Sequence, residues 1–250
     1  MKSLILILLC MFAFSAQAFA KIYVNGIDAA YAPFAYVDEE SGKPAGFDVE
    51  ALDWIAKSMG FGVTHAPIAR DAMLPSLLAR KIDMICSGMI ITMERAKQVA
   101  FSVPYRELYT VFVVKKESDL TVAAILTEKL KLGGQRGTNE AESLVKEQKE
   151  KKLRFEVRLY NSAPQMIEDL ISGRIHAALM DSAPAQDAVS RGKPLRIAGR
   201  PRKSCAFRRG LPPGRHGTAN AGERRLQEID GRSFLGCVAA EIRLEVSGLV

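Results

Sequence analysis

The constraint that most limits this chain is an alternation of two periodicities. Short apolar runs of strand type, at residues 21–26, 61–65 and 82–86, are separated by segments in which apolar residues recur at helical spacing. After Gly46-Phe47-Asp48, residues Val49, Leu52, Ile55, Ala56 and Met59 fall on one face. Gly60 follows, where a helix ends in the left-handed conformation. A second helix is expected over 71–81, with Leu74, Leu77 and Leu78 inward and Pro75 in its first turn. Asp48 reads as the cap of the first helix. Trp54 reads as a packing residue. The pattern returns over 109–180: strands at 109–114, 131–134, 155–159 and 175–180, helices at 120–131, 140–151 and 163–172. A strand–helix–strand alternation implies an open, mainly parallel sheet with helices on its faces, and two such blocks imply two lobes with a cleft between them. Ligands of such sheets bind beyond the carboxyl ends of the strands.

Residues 1–20 stand outside this pattern. Lys2, an apolar run over 4–14 and the small-residue site Ala18-Phe19-Ala20 make a signal peptide, with cleavage expected before Lys21. Leu9 precedes Cys10 where a lipoprotein signal needs a small residue, so no lipid anchor is expected. The mature chain is therefore expected to be exported and soluble. Its cysteines, Cys86, Cys205 and Cys237, are odd in number and widely spaced, which argues against a disulfide framework and leaves Cys86 as a small hydrophobe. The formal charge of +7 is local. Residues 21–199 carry 24 basic and 23 acidic side chains, whereas 200–250 carry 10 and 5. A nucleic-acid-binding role for the whole protein has little support from that distribution.

Chemistry collects at the strand ends. Asp28 and Tyr31 follow the first strand, Arg70 the second, and Ser87, Gly88, Met89 and Arg95 the third. Arg95 lies in the first turn of a segment opened by Thr92, where free N–H groups and a guanidinium together suit a carboxylate. Taken alone it is an ordinary surface arginine. In the second block, Gly137, Thr138 and Asn139 form an anion-friendly helix start, and Asp181 ends an apolar strand. The plain readings of Thr138 and Asp181 are helix caps.

These residues carry a resemblance. Asp28-Ala-Ala-Tyr-Ala-Pro-Phe34, Gly46-Phe47-Asp48, Leu74-Pro-Ser-Leu-Leu78, Ser87-Gly-Met89, Thr92-Met-Glu-Arg95, Phe101-Ser-Val-Pro-Tyr105, Gly137-Thr138 and Gly173-Arg-Ile-His-Ala177 with Asp181 run in order through 21–199. The chain resembles the periplasmic polar amino-acid-binding proteins of ABC importers. The resemblance implies an α/β, two-lobed, type II periplasmic-binding-protein fold, each lobe an open mixed sheet flanked by helices. Lobe 1 would take 21–110 and lobe 2 would take 111–199. It implies a monomer that closes by hinge bending on a free amino acid and delivers it to a membrane permease, without cofactor or metal. Arg95 would hold the α-carboxylate, helped by Thr138, Asn139 and the Gly88 backbone. Asp181 would take the α-ammonium. Asp28, Tyr31, Ser87 and Met89 would line the pocket, with Tyr31 over the ligand.

Three departures qualify the resemblance. Ile90 stands where the family has a hydroxyl residue. Arg70 stands where an aromatic or aliphatic residue covers the ligand, which suggests a bias toward an acidic side chain, unless Arg70 swings out to solvent. Residues 200–250 are Arg-rich, contain no Tyr or Trp, and lack the family's closing elements. Read one base out of frame over 215–246, the gene could encode helices of the family's C-terminal type, so a frameshifted, non-functional copy is one alternative. With the printed tail, lobe 1 is expected to lack its closing elements. The other alternative is a dehydratase-like enzyme on the same fold, for which Asp28 is the spare carboxylate.

Overall fold

The computed structural model describes residues 21–201 and two short strands, 232–235 and 238–239. The expected signal peptide and most of the tail lie outside the described residues. The first sheet has the order β5-β1-β6-β14-β7. Its strands are β1 (Ile22–Ile27), β5 (Gly62–Pro67), β6 (Met84–Ile85), β7 (Ala100–Phe101) and β14 (Val238–Ala239). β5, β1 and β6 are parallel, and β14 lies antiparallel between β6 and β7. Helices α1 (Phe47–Met59), α2 (Arg70–Leu78) and the single turn α3 (Met93–Ala96) connect them. A small antiparallel sheet of β2 (Ala30–Tyr31), β3 (Ala35–Val37) and β4 (Pro44–Ala45) fills what the sequence reads as loop and turn.

The second sheet has the order β10-β9-β11-β8-β12. Its strands are β8 (Arg106–Lys115), β9 (Lys131–Gln135), β10 (Glu156–Tyr160), β11 (Ala177–Asp181) and β12 (Leu195–Gly199). β10, β9 and β11 are parallel, and β8 runs antiparallel to β11 and β12. Both sheets are thus mixed. Helices α4 (Val122–Thr127), α5 (Asn139–Glu150), α6 (Ala163–Ile171) and α7 (Ser182–Ser190) cover this lobe. Its core lies on both sheet faces, around Met166, Leu170 and Ile175 on one side and Phe112, Leu132 and Phe155 on the other. In the first lobe Met73, Leu77, Ile82, Ile85 and Met89 form the larger cluster.

Several local expectations change. In α1, Val49, Leu52 and Ala56 are buried, but Ile55 and Met59 are exposed and Trp54 is 70% exposed. The buried stripe is narrower than the apolar pattern, because α1 packs on one sheet face only. Gly60 does close α1 in the left-handed conformation. The N-cap is Gly46, not Asp48, whose carboxylate turns into the protein. In α2, Met73 and Leu77 point inward and Leu78 is half exposed; Pro75 sits inside the helix rather than in its first turn. Cys86 is disulfide-bonded, not merely a small hydrophobe. Two strands of the tail do return: β13 (Arg232–Leu235) pairs with Arg106–Tyr109 of β8, and β14 enters the first sheet. β14 thus gives the first lobe an interior strand that it was expected to lack. Among the described residues no helix is long and apolar enough to cross a membrane.

Candidate functional site

Strand ends and helix starts of both sheets converge on one buried polar cluster. From the first lobe come Asp28 and Tyr31, Arg70 at the start of α2, Ser87 and Gly88 after β6, and Arg95 in α3. From the second come Gln135 at the end of β9, Thr138 and Glu140 at the start of α5, and Asp181 at the end of β11. All but Gly88 are large enough to have a polar side chain, and all of these are under 9% exposed. Buried polar groups demand partners, and the partners here cross between lobes.

Arg70 is turned inward, 3% exposed, so it does not swing out to solvent. Its two terminal nitrogens donate to the carbonyls of Ser87 and Gly88, each at 2.8 Å. The guanidinium lies 4.4 Å from the Tyr31 ring centroid and 4.0 Å from Asp28 Oδ2, a cation–π and ion-pair environment. Burial alone would lower its pKa. Tyr31 and the carboxylates of Asp28, Asp181 and Glu140 outweigh that and raise it. Asp28 is fixed on three sides. Its N–H donates to Ser87 Oγ, its Oδ1 accepts from Ala30 N–H, and its Oδ2 accepts from Gln135 Nε2 across the cleft at 2.8 Å.

Arg95 also bridges. One terminal nitrogen donates to Ile90 O at 3.1 Å and the other to Gly137 O in the second lobe at 3.0 Å. Thr92 caps its short helix by accepting from Arg95 N–H. Burial and then Arg70 lower the Arg95 pKa, though it stays cationic. Gly137 has φ +74, and a Cβ there would stand 2.5 Å from the backbone N and Cα of Asp71. The two lobes therefore meet backbone to backbone at this point. Thr138 caps α5, accepting from Ala141 N–H and donating to Gln135 O. Asn139, next in line, is half-buried.

The Tyr31 hydroxyl crosses the cleft to donate to Asp181 Oδ2. Burial first, then Asp181, raises its pKa well above the ordinary value. Asp181 is N-terminal to α7 but its side chain makes no cap bond; instead it faces the cluster. Burial and the neighbouring carboxyl of Glu140 raise its pKa well above the carboxylate range, against the Tyr31 bond and Arg70. Gly88, at φ +58, lets the Tyr31 ring lie on the backbone: a Cβ would be 2.2 Å from Tyr31 Cε1. Its N–H is committed to Asp48 Oδ2, which with Oδ1 also accepts from Tyr105 OH. The Gly88 amide is thus occupied. Met89 turns its side chain into the first-lobe core, which leaves only its backbone near the cleft. Ile90 packs with Tyr31, Phe34 and Leu108.

Gln135, Glu140 and the Asp48–Tyr105 pair are additions to the expected set. Glu140 carried a faint signal, an acid at the second position of a helix; Gln135 carried none. The cluster offers two fixed guanidinium groups and several carboxylates in a water-poor space. That suits gripping a small zwitterion by both ends. Among the described residues no group of His, Cys, Asp and Glu could hold a metal ion.

Residues 23–227 match the model of the bacterial extracellular solute-binding proteins, family 3. The match runs past Gly199 into the tail. The ABC transporter arginine-binding protein 1 of Escherichia coli K12 is 33% identical over 199 residues, 79% of this chain and 79% of that one. The histidine-binding periplasmic protein of the same strain is 32% identical over 207 residues, 80% and 78% of the two chains. The arginine-bound form of truncated ArgBP from T. maritima superposes with a TM-score of 0.68 at 28% identity, covering 88% of each chain.

Proposed function

Because this chain belongs to the bacterial extracellular solute-binding proteins, family 3, we propose that it captures a free polar amino acid between its two lobes and delivers it to an ABC transporter permease. The named relatives are binding proteins, and the chain is a binding protein rather than an enzyme. The observation that carries the finer reading is the cluster itself. Arg95 bonds to a carbonyl of the opposite lobe, and Asp181 accepts from Tyr31 of the opposite lobe. A ligand held at both ends by such groups would hold the lobes together, and closure is the state a permease can read.

In this reading Arg95 takes the α-carboxylate, with Thr138 and Asn139 at the start of α5. Asp181 takes the α-ammonium, and Tyr31 walls the pocket with Asp28, Ser87, Gly88 and the Met89 backbone around it. Arg70 meets the ligand's side chain. The relatives named above for arginine and histidine make a cationic side chain the first comparison. Yet Arg70 puts a buried guanidinium against Tyr31 and Asp28, which works against a second cation and for an acidic side chain. The chain acts as a periplasmic monomer, exported by residues 1–20, with lobes divided near residue 110.

Calorimetric titration of the mature chain against the twenty L-amino acids tests this. Binding of none would sink the amino-acid reading. Binding with no preference for glutamate or aspartate over lysine and arginine would remove the role given to Arg70 and leave the rest standing.

A further inference from the structure

Glu140 is the one charged member of the cluster to which the reading above gives no role. It is 3% exposed at the second position of α5. Its carboxyl neighbours that of Asp181 at the end of β11 and acts on it electrostatically. Two buried neighbouring carboxylates repel when both are ionised, which favours one proton on the pair. The remaining oxygens are of interest. Asp181 Oδ2 accepts from Tyr31, but Asp181 Oδ1 and Glu140 Oε1 are both buried and have no partner. Two orphaned acceptors on neighbouring acids, at a cleft between lobes, ask for one donor with several hydrogens and a positive charge. An ammonium has three N–H donors.

We propose that Glu140 is a second ligand of the amino acid's ammonium, and that the Asp181–Glu140 pair gives up its shared proton to solvent when that ammonium enters. The proposal rests on the amino-acid reading above. Charge balances. A pair with one proton carries one negative charge and the ammonium one positive. After exchange the pair carries two negative charges, the ammonium remains, and one proton has gone to buffer. Other groups around the pair favour this end state. Tyr31 donates from β2, Arg70 faces the pair from α2, and Arg95 faces it from α3. Asp28, next to Arg70, and Glu142, which acts on Arg95, are the other acids in reach. Burial supports the starting state, because it holds Asp181 protonated far above the ordinary range.

The test is titration calorimetry of the mature chain with the tightest binder of the twenty-amino-acid panel. It is run at fixed pH in two buffers of different ionisation enthalpy. The expected result is release of about one proton per ligand bound, with affinity rising about tenfold per pH unit over the range in which the pair is protonated. Glu140→Gln preserves shape and can donate to Asp181. It is expected to abolish the release, flatten the pH dependence and weaken binding about tenfold to a hundredfold. An N-acetylated form of the same amino acid, which has no ammonium, should not release a proton. Wild-type binding without proton release overturns the proposal even if the variant fails to fold. So does release retained in Glu140→Gln. Failure of the whole panel to bind is a different result, which removes the amino-acid reading itself.

Discussion

Gly137→Ala offers a perturbation that separates closure from folding. Gly137 adopts φ +74, so any side chain there incurs the left-handed penalty, roughly 1–2 kcal/mol, whether the lobes are open or closed. The second cost arises only in the closed form. The new Cβ would lie 2.5 Å from the N and Cα of Asp71 and 2.8 Å from the carbonyl carbon of Arg70. These are backbone atoms at the head of α2, so no rotamer change relieves the contact. Overpacking of this kind costs about 1–3 kcal/mol, which weakens a ligand that binds the closed form roughly 5- to 150-fold. The same shift breaks the approach that lets Arg95 reach Gly137 O. Titration calorimetry reads the affinity, and small-angle scattering with and without ligand reads compaction. Thermal melting without ligand isolates the φ penalty. An alanine variant that binds and compacts like the wild type would refute the placement of this contact between lobes.

Arg95→Ala is expected to abolish amino-acid binding while circular dichroism and the ligand-free melting point stay near wild type; retained binding would move the carboxylate anchor elsewhere. Gln135→Ala removes the amide that reaches Asp28 Oδ2 across the cleft; loss of a bond to a buried carboxylate should weaken binding at least tenfold, and an unchanged titration would show that this bridge does not serve closure. Asp48 is raised by burial from 3.8 to about 6, against its bonds from Tyr105 and Gly88. The folded state therefore holds its proton longer than the unfolded chain, and the associated stability is complete below about pH 4 and lost as pH rises through about 6. Relative to Asp48→Asn, wild-type stability should fall over that window by on the order of 3 kcal/mol, and denaturant titrations in which the gap is constant or widens the other way would contradict it.

Most of the scaffold was legible because it rests on local signals. Apolar runs and helical spacing mark the strands and helices of both lobes. Gly60, Thr92 and Thr138 end or start helices by chemistry confined to a few residues. Arg95 and Asp181 were legible through motif order. What escaped depends on partners far along the chain. Asp48 looks like a cap, but its ties are Gly88 and Tyr105, 40 and 57 residues away. Gln135 meets Asp28 at a separation of 107 residues. Glu140 opens a helix dense in Glu and Lys, where nothing in spacing distinguishes a buried acid from a solvated one. Trp54 shows the opposite error. Its size suggests burial, but the angular position on α1 leaves it in solvent. Cys86 misled by arithmetic, since an odd count of cysteines does not forbid one pair.

The ten-residue strand β8 carries a mechanical consequence. Its first part, Arg106 to Tyr109, is laddered to Arg232–Leu235 of β13, while Thr110 onward belongs to the second sheet between β11 and β12. β7 leads into one strand of that ladder, and the other leads into β14, so both join the first sheet at the same end. A two-stranded ladder resists stretching and sliding, because either would break its hydrogen bonds, but it yields to twist and out-of-plane flexure. Motion of the two bodies about this ladder is thereby biased toward those two coordinates, flexure and twist. A ligand then has two soft angles to bias rather than six rigid-body freedoms to arrest, and little of its binding free energy is spent on restraining the others.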